Sequence, residues 1–145
     1  MKYTNKKITL DGYNFDSQKE AEFYLRYIKG CKQKFEVQKT FVLHEKFNVG
    51  GLKMRSTTYK ADFVIYDDFG NLAHVFDLKN GFNTYAIDAK SRLKFKLFAK
   101  RYGIPVEVVV LRKRDFKMAI LGLTTKFEPV TLNNIDYDLK RLIGA

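Results

Sequence analysis

Residues 59–66 and 72–78 alternate side chains at the two-residue period of a strand, and β-branched and aromatic residues fill both stretches. Between them Asp67-Asp68-Phe69-Gly70-Asn71 carries turn chemistry, with Gly70 and Asn71 able to accept positive φ. The pattern predicts a hairpin. Upstream, Ile8 and Leu10, Asp11-Gly12, then Tyr13 and Phe15 predict a smaller hairpin with a type I′ turn. A helix is expected from about Ser17 to Lys29, with Gly30 as its stop and Ala21, Tyr24, Leu25 and Ile28 as its apolar stripe. Residues 35–43 read as a strand. Residues 44–55 read as a charged excursion turning at Gly50-Gly51.

After the central hairpin, residues 85–102 have helical period, with Thr84 as cap, Leu93, Leu97 and Phe98 inward, and Gly103 and Pro105 at the end. Residues 106–111 form an apolar run expected to be a buried strand parallel to a neighbour, because a helix precedes it. Residues 116–121 suggest an edge strand, and Asn133 or Asn134 a cap for a short helix through Leu142. The order helix, three strands, helix, strand predicts one α/β domain over residues 1–145, a mixed sheet flanked by helices.

Strand alternation turns this pattern into chemistry. Asp62 shares a face with Lys60 and Val64, and Asp77 shares one with Lys79. Closing the hairpin sets Asp62 opposite Phe76 or Asp77, and only the second register puts both carboxylates on one side. Two acids and a lysine on one patch suit a divalent cation facing a bound anion. Glu20 has two readings. Ser17 and Glu20 fit a capping box, yet Glu20 also lies at the edge of the apolar stripe among Phe23, Tyr24 and Tyr27, where a carboxylate needs a partner. The backbone carbonyl of Leu78 is a further hard-oxygen donor. Tyr85 is expected in the core. His74 is out of phase with Asp77 and is assigned no place in the site, and His44 receives no role.

Composition narrows the function classes. The 145 residues carry a formal net charge of +11, which points to a polyanionic partner, nucleic acid first. No apolar run approaches the ~20 residues of a membrane span. No apolar stretch follows the basic N-terminus, so a secretory signal is not expected. The single cysteine, Cys31, excludes an internal disulfide and suits a reducing cytoplasm. No organic cofactor is called for.

The pieces Phe15-Asp16-Ser17-Gln18-Lys19-Glu20-Ala21, Tyr59-Lys60-Ala61-Asp62-Phe63, Phe76-Asp77-Leu78-Lys79 and the lysine-rich Leu93-Lys94-Phe95-Lys96-Leu97-Phe98 together resemble the PD-(D/E)XK nuclease superfamily. More narrowly they are similar to a small phage and prophage family of it, long catalogued as a domain of unknown function. Ala61 stands where the name-giving proline would be, and Asp77 where Glu is frequent. The resemblance, over about residues 12–103, implies an αβββαβ core and Mg²⁺-dependent (or Mn²⁺-dependent) DNA cleavage. It implies a site from Glu20, Asp62, Asp77 and Lys79, with Lys94 or Lys90 as auxiliary phosphate contact and Lys60 beside the same phosphate. The phage context suggests recombination, replication or packaging, with branched DNA such as a Holliday junction as a substrate. A homodimer follows only by analogy with resolvases, which must cut two strands. The competing expectation is a nucleic-acid-binding module without catalysis.

Overall fold

The computed structural model describes residues 7–145; the N-terminal stretch read for a leader, residues 1–6, lies outside them. The first hairpin pairs β1 (Ile8–Leu10) with β2 (Tyr13–Phe15). Its turn is the expected left-handed pair, Asp11 at φ 51° and Gly12 at φ 83°. Helix α1 (Gln18–Phe23) starts on Ser17 and continues as a π-helical turn over Tyr24–Ile28. This wider turn lets Phe23, Tyr24 and Ile28 all face the sheet. Leu25, expected in the apolar stripe, is instead turned to solvent, while Phe23 is fully buried.

The main sheet has six strands in the order β10 (Val130–Leu132), β9 (Phe116–Ala119), β8 (Glu107–Leu111), β7 (Leu72–Leu78), β6 (Thr57–Tyr66), β3 (Phe35–His44). Strand β3 (Phe35–His44) pairs antiparallel with β6 (Thr57–Tyr66), and β6 with β7 (Leu72–Leu78). The excursion between β3 and β6 is a separate hairpin, β4 (Phe47–Val49) and β5 (Leu52–Met54). Helix α2 (Ala89–Tyr102) crosses over to β8 (Glu107–Leu111), which is parallel to β7 as the buried apolar run predicted. Gly103 ends the helix at φ 72°, a conformation that costs glycine least.

Three expectations about this half change. The helix begins at Ala89 and not near Thr84. Asn83 Oδ1 takes the amides of Tyr85 and Ala86 in a local turn, and Asp88 is the N-cap, accepting the Ser91 amide at 2.7 Å. Leu93 is exposed, because the inward stripe is Phe95, Phe98 and Tyr102, and a residue two positions from Phe95 lies roughly 200° round the helix. Tyr85 is 98% exposed, since the turn that precedes the helix carries it outward.

Strand β9 (Phe116–Ala119) is interior and not an edge, because β10 (Val130–Leu132) covers it. The final helix α3 (Leu139–Leu142) is capped by Asp138, whose Oδ1 accepts the Arg141 amide, and not by Asn133 or Asn134. This C-terminal segment is tied to the sheet by a buried polar set. Glu107, with no exposed surface, accepts from the Tyr137 hydroxyl at 2.5 Å and lies 2.7 Å from His74 Nδ1; His74 Nε2 lies 3.0 Å from the Tyr137 carbonyl. His74 thus has a structural place on the face away from Asp77, as its phase required.

Helices cover both faces of the sheet. Phe63 and Phe76 pack against Phe23 of α1. Tyr59, four residues before Phe63, packs against Phe95 and Phe98 of α2. Residues of one parity on β6 therefore meet different layers. Between the two lies Gln38 of β3, skipped in the β3–β6 register and held at φ 56°. A non-glycine residue rarely takes this conformation inside a strand; its side chain donates to the Asn14 carbonyl at 2.6 Å.

Candidate functional site

The register that joins Asp62 to Asp77 is the one formed. Phe63 pairs with Phe76, Val64 with Val75 and Ile65 with His74, so Asp62 and Asp77 are next in line. The ladder ends there. The following β7 amide, Leu78 N–H, donates to Asp62 Oδ2 at 2.7 Å, while β6 continues beside β3 as far as Thr57. Strands β6 and β7 part at the two carboxylates, and one of the carboxylates satisfies the amide left over. On the other side of β7 the Lys79 amide bonds the Val109 carbonyl at 2.9 Å, so strand alternation sends the Leu78 carbonyl to the β6 side with Asp62.

Asp77 is 6% exposed and has both oxygens engaged. The Tyr59 hydroxyl donates to Oδ2 at 2.7 Å, and the Lys79 ammonium lies 3.3 Å from Oδ1. Burial pushes the Asp77 carboxyl above its ordinary range, against the opposing pull of Lys79 and Tyr59. Burial raises Asp62 much further, and the charges of Asp77 and then Glu20 add to it. The Tyr59 hydroxyl is raised well above its usual range by burial and by Asp77.

Glu20 is a helix cap and also stands close to Asp62. Its amide donates to Ser17 Oγ at 3.2 Å and its Oε2 accepts from that hydroxyl at 2.9 Å, which is a cap. Its carboxylate is also near enough to Asp62 to oppose that group's ionisation. Among the described residues, no group of three or more His, Cys, Asp or Glu side chains is arranged to hold a metal ion. Mg²⁺ seldom relies on an all-protein cage. It is commonly bound through one or two carboxylates, with waters and substrate phosphates filling the rest, and the all-oxygen donor set of Asp62, Glu20 and the Leu78 carbonyl has the hardness it prefers.

The cationic residues stand around this point in different ways. Lys60 is exposed on β6, two residues from Asp62. Lys90 is exposed in the first turn of α2; it and Lys79 both help to hold Asp88 below its ordinary range, after the cap bond to Ser91. The N-terminus of α2 therefore lies near Lys79. Lys94 is half-buried one turn further on. None of Lys60, Lys90 and Lys94 forms an ion pair among the described residues. Residue-pattern reasoning missed Tyr59. Its distance of three residues from Asp62 puts it on the other face of an ideal strand, and no residue pattern signals otherwise.

A mixed α/β sheet with two acids and a lysine at a strand opening is the class that fold and site define. The chain belongs to a family described as a protein of unknown function, DUF1064, whose model matches residues 1–117. No curated protein and no solved structure matches the chain. Among the described residues no helix is long and apolar enough to cross a membrane.

Proposed function

We propose that this protein is a Mg²⁺-dependent endodeoxyribonuclease of the PD-(D/E)XK type. The observation that carries the reading is the meeting of Asp62, Asp77 and Lys79 where β6 and β7 separate, at the end of a basic helix. The order α1, β3, β6, β7, α2, β8, with the β4–β5 hairpin inserted, supports an αβββαβ core. Asp62, Glu20 and the Leu78 carbonyl would hold the ion; Asp77, the fourth ligand expected, would join them only by releasing the Tyr59 hydroxyl or the Lys79 ammonium that now engage its oxygens. Bound Mg²⁺ would relieve charge on the scissile phosphate and make a water more acidic.

The chain's own residues do the rest. Asp77 holds the Lys79 ammonium at 3.3 Å, leaving its other N–H groups for a phosphoryl oxygen on which charge develops. Tyr59 fixes the Asp77 carboxylate from the opposite oxygen. Lys60, Lys90 and Lys94 neutralise flanking phosphates without reading bases.

The test is conversion of supercoiled plasmid to nicked circle. Mg²⁺ or Mn²⁺ should support it and EDTA should stop it, and Asp77→Ala or Lys79→Ala should abolish it with the fold intact. Cleavage undiminished by EDTA would reject the metal. A panel of duplex, single-stranded, flap and four-way DNA would find the preferred substrate.

One feature favours a second reading, a nucleic-acid-binding module that does not cleave. Both oxygens of Asp77 already have protein partners. Calorimetry separates the two. Absence of Mg²⁺ binding, together with unchanged DNA affinity in Asp62→Asn, would favour the module.

A further inference from the structure

The β4–β5 hairpin leaves its whole apolar face in solvent. Phe47 pairs with Met54 and Val49 with Leu52, so all four side chains share one face, with Asn48 and Lys53 on the other. Their exposures are 48% for Phe47, 44% for Met54, 56% for Val49 and 67% for Leu52. An isolated two-stranded hairpin is marginally stable alone, and four large apolar groups side by side in water mark a contact surface more often than a defect.

Charge says what kind of contact. Lys53 lies on the reverse face with Asn48, and by strand alternation Lys46 and Arg55, at the stem, take that same side; none of the three is in an ion pair among the described residues. The nearby acid, Glu45, is held by Arg101 of α2 at 2.9 Å. His44 Nε2 and the Thr57 hydroxyl, 2.5 Å apart, close the stem. A second copy of the chain is a poor occupant. Four side chains a side cover only roughly half of the ~800 Å² per partner that a stable interface uses. A polyanion with apolar surfaces between its charges fits both features. Strand β6 then leads from the stem at Thr57 to Asp62 in five residues, about 17 Å at strand rise, or about five base pairs of duplex.

We infer that the β4–β5 hairpin is a DNA-engaging wedge, its lysines and arginine on phosphates and Phe47 and Leu52 stacked against unpaired or unstacked bases. Apolar side chains of this kind enter base steps and hold nucleic acid bent or open. The inference rests on the proposed nuclease reading only for the identity of the polymer, and it favours branched or flexible DNA, whose bases are cheapest to unstack.

The experiment is binding in EDTA, so that no cleavage is needed. The probe is a fluorescein-labelled four-way junction with 2-aminopurine at the branch, compared with a linear duplex of equal length. Wild type should bind the junction more tightly and raise the 2-aminopurine signal. Phe47→Ser/Leu52→Ser should lose about ten-fold in junction affinity together with that signal, and melt like wild type, since both side chains are exposed. Lys53→Glu/Arg55→Glu should weaken both DNAs and flatten the salt dependence by about two phosphate contacts. Unchanged junction affinity and signal in the serine variant would overturn the wedge. So would a dimer in sedimentation that the serine variant dissolves without change in DNA binding, or binding to phosphatidylserine vesicles in place of DNA. Failure to nick plasmid with intact wedge behaviour would remove the nuclease reading alone.

Discussion

Tyr59 and Asp77 are joined by a 2.7 Å hydrogen bond although they sit on different strands, eighteen residues apart. The hydroxyl is one of two groups that favour the ionised carboxylate, Lys79 being the other. Tyr59→Phe removes it and little else. Asp77 should then hold its proton to higher pH, so the acid limb of a pH–rate profile for nicking should move upward. Stability should fall by about 1–3 kcal/mol, the cost of a buried group left without its partner. A profile identical to wild type would show that Tyr59 only fills space.

Lys79 should be the most sensitive position for the chemical step. Lys79→Ala should lower single-turnover nicking by about 10²–10³, the loss seen when a transition-state donor is removed. DNA affinity should change little, because Lys79 is one cation among many. Loss of affinity with an unchanged rate constant would make it a binding residue.

Asp62 gives a pH-dependent stability whose sign is fixed. Burial, Asp77 and Glu20 hold its carboxyl well above the ordinary aspartate range, so the folded chain keeps a proton that the unfolded chain has lost. Stability of the metal-free protein must fall as pH rises from the ordinary carboxylate range through the raised folded value. Asp62→Asn should therefore melt higher than wild type at pH 7 in EDTA, and the difference should vanish near or below pH ~4. Mg²⁺ should raise the wild-type melting temperature through preferential binding to the folded state and should do less for the variant. Thermal melts across pH with and without the ion check both.

The three lysines differ from the acids in what they should alter. Charge reversal at Lys60, Lys90 or Lys94 should reduce the dependence of log K on log salt by about one contact each, with equal effect on every DNA sequence. Fluorescence anisotropy over a salt series measures it.

Much of the frame was legible because strand and helix periods are local. The central hairpin, the I′ turn at Asp11-Gly12, the Gly103 stop and the parallel strand after α2 follow from residue type and spacing. The convergence of Asp62 with Asp77 was legible as one of two registers, and the choice came from burial of Phe63 and Phe76 on the opposite face. The misplacements have tertiary causes. A π-helical turn rotated Leu25 outward, Asn83 and Asp88 out-competed Thr84 for backbone amides, and the β9–β10 pairing buried a strand expected at the edge. Tyr59 reaches Asp77 because β6 passes from the α1 layer at Phe63 to the α2 layer at Tyr59, a change that no period of two contains.

Removing His74 should show how firmly the C-terminal segment is held. His74→Ala leaves Glu107 buried with only the Tyr137 hydroxyl, and breaking such a set costs about 3–5 kcal/mol. Unfolding in urea should register it, and nicking at low temperature should not.

The Glu107–Tyr137 bond joins a strand inside the matched family region to a tail beyond residue 117. A chain cut at that border would sever β9 after Lys117, remove β10 altogether, open β8 as a raw sheet edge and take from the interior Glu107 one of its two partners. The border inferred from shared ancestry is thus no safe place to trim, and the closing residues are part of the machine that the earlier ones build.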